Sequence, residues 1–161
     1  MSQLIGEHTR IFLYGFGSSG LAAQEFQLRL LRLGMDAEAI TELHQMVLNE
    51  ARITNACLVI GISLSGATRE LIDALDRAKA RGAAVIYLTS SNAEREKRTY
   101  EEIVLAPVKK NLEYGNVISP QFPILLILDL IYAQLLKEDR RSTEAQYDTH
   151  IWERIKDYHV G

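Results

Sequence analysis

The chain has 161 residues, of which 47% are hydrophobic and 24% charged. These are the proportions of one ordinary globular domain with a normal core rather than of a disordered chain. A formal net charge of −3 argues against a dedicated nucleic-acid surface, because binding to a phosphate backbone is driven by clustered lysine and arginine. The basic pair Arg140 and Arg141 stands among Glu138, Asp139 and Glu144 and reads as a solvated helix end. The single cysteine, Cys57, lies in an apolar run, which leaves no disulfide framework and no zinc-ligand spacing and fits a reducing, cytoplasmic setting. The longest apolar stretch, residues 122–133, is interrupted by Pro123 and Asp129 and is too short to cross a bilayer. The chain opens without the charged-then-apolar pattern of a leader.

In chain order, residues 10–14 (RIFLY) are the first predicted strand, and a glycine-rich turn, 15–20 (GFGSSG), opens the helix after it. Residues 36–40 (DAEAI) form a weaker second strand, expected near an edge of the sheet. Residues 56–62 (ACLVIGI) and 83–89 (AAVIYLT) are apolar throughout, as strands buried on both faces require. Between them the spacing predicts a helix over 67–81, with Leu71, Ile72, Leu75 and Ala78 on one face and Gly82 ending it. A weaker edge strand follows at 102–106 (EIVLA), then a long helix from Pro120 or Pro123 to Lys137, then a more polar helix over 143–158. Strands alternating with helices imply a parallel sheet with right-handed crossovers. The expected architecture is one doubly wound α/β domain over residues 1–161, five strands in the order 2-1-3-4-5, helices on both faces. Little precedes the first strand, which is the pattern of a domain cut from a longer polypeptide.

Two turns carry chemistry. GFGSSG literally matches the G-x-G-x-x-G dinucleotide fingerprint in the required strand–turn–helix context. That reading needs an acidic residue closing the second strand to hold a ribose; Glu42 lies beyond Thr41, and Asp36 falls too early. The second turn is SLSGAT, residues 63–68, where Ser63, Ser65 and Thr68 surround Gly66. In open parallel sheets ligands bind outside the carboxyl ends of the strands, where strand order reverses. In the 2-1-3-4-5 order the two turns face each other across that crevice and present Ser18 or Ser19 with Ser63, Ser65 and Thr68. There is no Lys of the P-loop pattern, so these are neutral donors, and a hydrogen bond to a charged group is worth about 1.5–3 kcal/mol. Taken singly, each hydroxyl could be a helix cap, Ser65 for a helix starting at Ala67 above all. Taken together they suit the phosphate of a small metabolite.

At these residues the chain resembles a sugar isomerase (SIS) domain. FGSSG after the first strand, ISLSGATRE after the third and TSS (Thr89 to Ser91) after the fourth match that family's phosphosugar-binding turns. Within the family it is similar to the effector domain of MurR/RpiR-type bacterial transcription regulators. TELHQM (Thr41 to Met46), the helix LILDLIYAQLL and the tail EAQYDTHIWERIKDY carry that likeness. The resemblance implies a flavodoxin-like doubly wound sheet, a homodimer or dimer of dimers, a phosphorylated sugar or amino sugar as ligand, no cofactor, no metal and no membrane. It places Ser63, Ser65, Gly66 and Thr68 at the phosphate, Ser18 and Ser19 at phosphate or a sugar hydroxyl, His44 near the sugar, and Glu113 as the acid before the long helix. LEYGNVISP lacks the Arg-Ser those regulators carry after that acid. The regulators also bear an amino-terminal helix-turn-helix domain, so this chain would be their sensing half, touching DNA only through a domain it does not contain.

The alternative is an aldose–ketose isomerase, which needs a base to move a proton between adjacent carbons; His44 and Glu113 are the candidates. A protein-interaction module with a vestigial pocket, built around Tyr147 and Trp152, is the third reading. The closing helix and the early first strand favour the sensor. His8, His150 and His159 show no metal-like spacing and read as surface.

Overall fold

The computed structural model describes residues 1–91, 99–106 and 121–142. Its elements are helix α1 (Ser2–Glu7), strand β1 (Arg10–Gly15), α2 (Gly17–Arg32), β2 (Ala37–Ile40), α3 (Leu43–Asn49), a 3-10 turn (Glu50–Arg52), β3 (Cys57–Ser63), α4 (Arg69–Ala80), β4 (Ala84–Thr89), β5 (Glu102–Leu105) and α5 (Phe122–Ser142). The five strands form one sheet in the order β2-β1-β3-β4-β5, every pair parallel. The two weaker strands of the sequence are its two edges.

Alternation along each strand splits the core in two. Ile11 and Leu13 of β1, Leu58, Ile60 and Ile62 of β3, and Ile86 and Leu88 of β4 face the side covered by α1, α2 and α5. Phe12 and Tyr14, Val59, and Val85 and Tyr87 face the side that holds Met46 of α3 and Leu71, Leu75 and Ala78 of α4. Both faces are covered, so the central strands read as continuous apolar runs rather than alternating ones.

Helix α4 buries Leu71, Ile72, Ala74, Leu75 and Ala78. It ends with Gly82 at φ +94, whose N–H donates to the Lys79 carbonyl while Ala83 N–H donates to that of Ala78. That pair of bonds closes a helix with a left-handed residue after its cap, a conformation glycine adopts without penalty. Gly61 of β3 lets α4 approach, since a Cβ there would run into the Leu75 side chain.

Two expectations change. A helix precedes β1: α1 buries Ile5, and Ser2 bonds Glu138 of α5. Six residues with one buried apolar side chain give too little periodicity to read. Helix α4 starts at Arg69 rather than Ala67, because residues 64–67 are committed to the turn described below. The polar helix expected at 143–158, with Tyr147, Trp152 and Tyr158, lies outside the described residues.

Candidate functional site

Strands β1 and β3 are neighbours, with Gly15 opposite Ile62 in register. The two turns therefore leave the sheet side by side, at the point where strand order reverses. In the first, Phe16 is the extended N-cap residue of α2, and no side chain caps it. Its carbonyl accepts the N–H groups of Ser19 (3.0 Å) and Gly20 (3.2 Å). The glycines permit close packing. A Cβ on Gly15 would sit 2.8 Å from the Ser19 carbonyl oxygen, and one on Gly20 would sit 2.9 Å from the Gly15 oxygen and 3.0 Å from Thr41 Cγ2. Ser18 is exposed and Ser19 half-buried on this first turn of α2.

The second turn is a closed hydrogen-bonded loop. Ser63 is buried at the end of β3, and its Oγ accepts the Gly66 N–H (3.3 Å) and lies 3.2 Å from Thr68 Oγ1. The Ser63 carbonyl also accepts the Gly66 N–H (3.2 Å). Ser65 Oγ accepts the Ala67 N–H (3.3 Å), two residues on, so Ser65 shapes the turn and does not cap α4. Thr68 is the N-cap residue of α4 yet makes no side-chain cap bond there; its hydroxyl turns to Ser63 instead. Gly66 has φ +67, a left-handed conformation that disfavours any residue with a Cβ. Moreover, a Cβ there would land on the Ser91 side chain and 2.8 Å from Thr89 Oγ1.

The start of α4, like that of α2, offers backbone N–H groups and the positive end of the helix dipole to whatever lies in the crevice. Ser65 is exposed and Thr68 half-buried. The cation adjoining this turn is Arg69, exposed at the first position of α4. What gathers is a set of hydroxyls and amides suited to an anion with three or four oxygens.

His44 is the second residue of α3 and is exposed. It follows β2, so it stands at the same carboxyl end of the sheet, on the far side of β1 from SLSGAT. The packing of Thr41 against Gly20 ties that connection to the first turn. Glu113 lies outside the described residues. Ser18, Ser19, His44, Ser63, Ser65, Gly66 and Thr68 thus share one end of the sheet, with the Ser63–Thr68 loop alone in direct mutual contact. The turn after β4, Thr89–Ser91, joins them: Ser63 is opposite Thr89 in register, and Ser90 bonds Leu64. Its role as a partner of the SLSGAT loop cannot be read from spacing, because the contact is made to a backbone carbonyl.

A shallow groove of about 290 Å³ lies elsewhere, between the first residues of the chain, the start of β5 and the middle of α5. Val104, Ile127, Leu130 and Ile131 line it beside Ser2, Glu102 and Gln134, and it has none of the convergent hydroxyls of the strand ends. Among the described residues no group of three or more His, Cys, Asp and Glu is placed to hold a metal ion, and no helix is long and apolar enough to cross a membrane.

A doubly wound parallel sheet with hydroxyl-rich turns at its switch point defines the class of protein. The chain belongs to the SIS-domain family, whose model matches residues 3–125. It is 32% identical over 137 residues to an HTH-type transcriptional regulator of Clostridium perfringens, an alignment covering 84% of this chain and 48% of that protein. The chain spans about half the length of the curated relatives it matches. Among solved structures it superimposes on the sugar isomerase domain of an RpiR transcription factor from Sphaerobacter thermophilus with a TM-score of 0.76 at 21% identity, over 87% of this chain and 76% of that one. It also superimposes on the Vibrio vulnificus NanR protein complexed with ManNAc-6P, with a TM-score of 0.84 at 21% identity, over 99% of this chain and 60% of that one. At these identities the two structures speak for the fold.

Proposed function

We propose that this chain is the phosphosugar-sensing effector domain of a bacterial transcriptional regulator of sugar metabolism. The observation that carries the reading is the loop in which Ser63, Ser65 and Thr68 surround Gly66 between two helix starts whose caps are left unfilled. The phosphate docks on this loop and on Ser18 and Ser19, and the sugar reaches toward His44 and toward Glu113. The regulator likeness of the relatives, and the phosphosugar bound by NanR, support the same assignment. The DNA-binding half would be a helix-turn-helix domain ahead of this one, and the setting cytoplasmic.

Homodimerisation belongs to this reading. Helices α2 and α5 lie side by side, joined by Arg29 and Asp129 at 2.9 Å. Leu21, Leu28 and Leu31 of α2 and Phe122, Leu126 and Leu130 of α5 are exposed. So much exposed apolar surface on adjoining helices suits a subunit contact. A ligand that favours one dimer geometry changes the spacing of the DNA-binding domains, which requires different affinities for two arrangements.

The test is incubation of the protein with aldose phosphates, followed by NMR for both binding and product. The sensor reading predicts saturable binding without isomerised product. Steady accumulation of a ketose phosphate would replace it with the isomerase reading, with His44 and Glu113 as its candidate bases.

A further inference from the structure

The SLSGAT loop is held from outside as well as from within. The β3–β4 ladder ends with Ser63 opposite Thr89, yet the first residue beyond β4 keeps reaching across. Ser90 donates its N–H to the Leu64 carbonyl (3.3 Å) and its hydroxyl to the same oxygen. A carbonyl oxygen has two lone pairs, and both Ser90 donors converge on this one. Leu64 is the first residue beyond β3, so this is the point at which the loop would otherwise swing free of the sheet. Two residues on, Gly66 is pressed against Thr89 and Ser91, with no room for a Cβ. Ser91 N–H in turn donates to Thr89 Oγ1 (3.2 Å), fixing the wall against which Gly66 rests.

We infer that Ser90 is a positioning residue. Through the Leu64 carbonyl it fixes the 64–67 loop in the shape that presents Ser63, Ser65 and Thr68 to an anion, without itself contacting that anion. The inference rests on the phosphate reading of the loop, but the brace is a property of the ligand-free protein. Binding sites built this way gain affinity because the ordering of the loop precedes the ligand. Ser90→Ala removes the hydroxyl bond and leaves the N–H bond, so the loop loosens while the ladder stays. Ser90→Thr keeps the hydroxyl.

The experiment is amide hydrogen exchange of the ligand-free protein at Ser65, Gly66 and Ala67, paired with titration by inorganic phosphate followed at the same amides. Ser90→Ala is expected to speed exchange at Gly66 and Ala67, whose N–H groups are bonded within the loop, while the strand amides of β3 hold their parent rates. It is also expected to weaken phosphate binding roughly threefold to tenfold, the range of one neutral hydrogen bond. Ser90→Thr is expected to restore both. Unchanged exchange at the loop in Ser90→Ala, or phosphate binding at the parent's affinity despite faster exchange, overturns the inference. A parent protein that ignores phosphate while Ser90→Ala still speeds loop exchange would sink the phosphate reading and leave the brace supported.

Discussion

The hydroxyls of Ser63 and Thr68 lie 3.2 Å apart, and the geometry leaves one hydrogen between them uncommitted. Ser63 Oγ already accepts the Gly66 N–H. If Thr68 donates to Ser63, the Ser63 hydrogen is free, and if Ser63 donates, that of Thr68 is free. Either way the pair offers one donor to the crevice, and an anion can reorient both hydroxyls without moving the backbone.

Replacing Thr68 by Ala removes one of those hydroxyls without touching the bond from Gly66 N–H to Ser63 Oγ. Replacing Ser63 as well removes the pair. The double variant Ser63→Ala with Thr68→Ala should lose at least the one bond the pair offers to a charged group, about 1.5–3 kcal/mol of phosphosugar binding, with the fold retained. Calorimetric titration checks the loss and far-ultraviolet circular dichroism checks the fold. Parent-like affinity would refute the assignment of these two residues.

Gly66→Ala meets both a left-handed backbone and the wall formed by Thr89 and Ser91. A left-handed non-glycine residue costs about 1–3 kcal/mol, and the crowding adds to it. The expected result is a lower urea midpoint with loss of phosphosugar binding, measured on the same preparation.

Buried beneath β1, Asn49 Nδ2 donates to Tyr14 Oη at 2.8 Å, while Asn49 Oδ1 is buried with no hydrogen-bond partner among the described residues. Burial also pushes the Tyr14 phenol above its ordinary pKa, against the Asn49 bond, which lowers it. Tyr14→Phe strips the amide of its remaining partner and should destabilise by about 1–3 kcal/mol. Adding Asn49→Leu removes the orphaned amide and should recover most of that loss, which a urea double-mutant cycle will read.

Two carboxylates make the domain sensitive to acid. Glu38 is held below the ordinary carboxylate range, first by the hydrogen bond from Arg52, against burial, and further by Arg10. For Glu101 burial acts to raise the pKa, but the Lys79 bond and the Val85 N–H outweigh it, and the carboxyl again lies low. A depressed folded pKa contributes stability that is present above the unfolded glutamate value of about 4.3 and is lost as pH falls through the folded value. Glu38→Gln with Glu101→Gln should therefore flatten the decline of the thermal midpoint below about pH 5, while lowering the midpoint at pH 7. An unchanged acid slope would show that these pairs are not what acid breaks.

Leu126→Glu with Leu130→Glu changes two exposed positions on α5 and should leave the protomer folded. Sedimentation velocity is expected to show a dimer for the parent and a monomer for the variant. A monomeric parent at tens of micromolar, roughly where a stable dimer would be associated, would remove the dimer from the account.

Much of this was legible in the residues. Strands buried on both faces announce themselves as unbroken apolar runs, and each observed strand begins and ends within one residue of its expected place. Helix α4 shows its buried face and its Gly82 stop in the sequence, but it starts at Arg69, two residues after the expected Ala67. Hydroxyl turn chemistry and helix capping draw on the same residue types, and Ser65 serves the first. Helix α1 leaves no signal in the sequence, because six residues around one buried isoleucine carry no period. The convergence of SLSGAT with GFGSSG followed from strand order, which the parallel α/β pattern supplied. The hold of Ser90 on Leu64 did not, because a bond to a backbone carbonyl leaves no mark on side-chain spacing.

In the proposed function the strand-end hydroxyls receive a phosphate. Thermal unfolding against a panel of pentose, hexose and N-acetylhexosamine phosphates, each beside its free sugar, tests it most directly. A ligand at about 100 times its dissociation constant stabilises by roughly 2.7 kcal/mol, a shift of roughly 5–11 °C for a domain of this size. Such a shift is expected with at least one phosphosugar, absent with its free sugar and absent in the Ser63→Ala, Thr68→Ala double variant. A shift of equal size with the free sugar, or one that persists in the double variant, would contradict it.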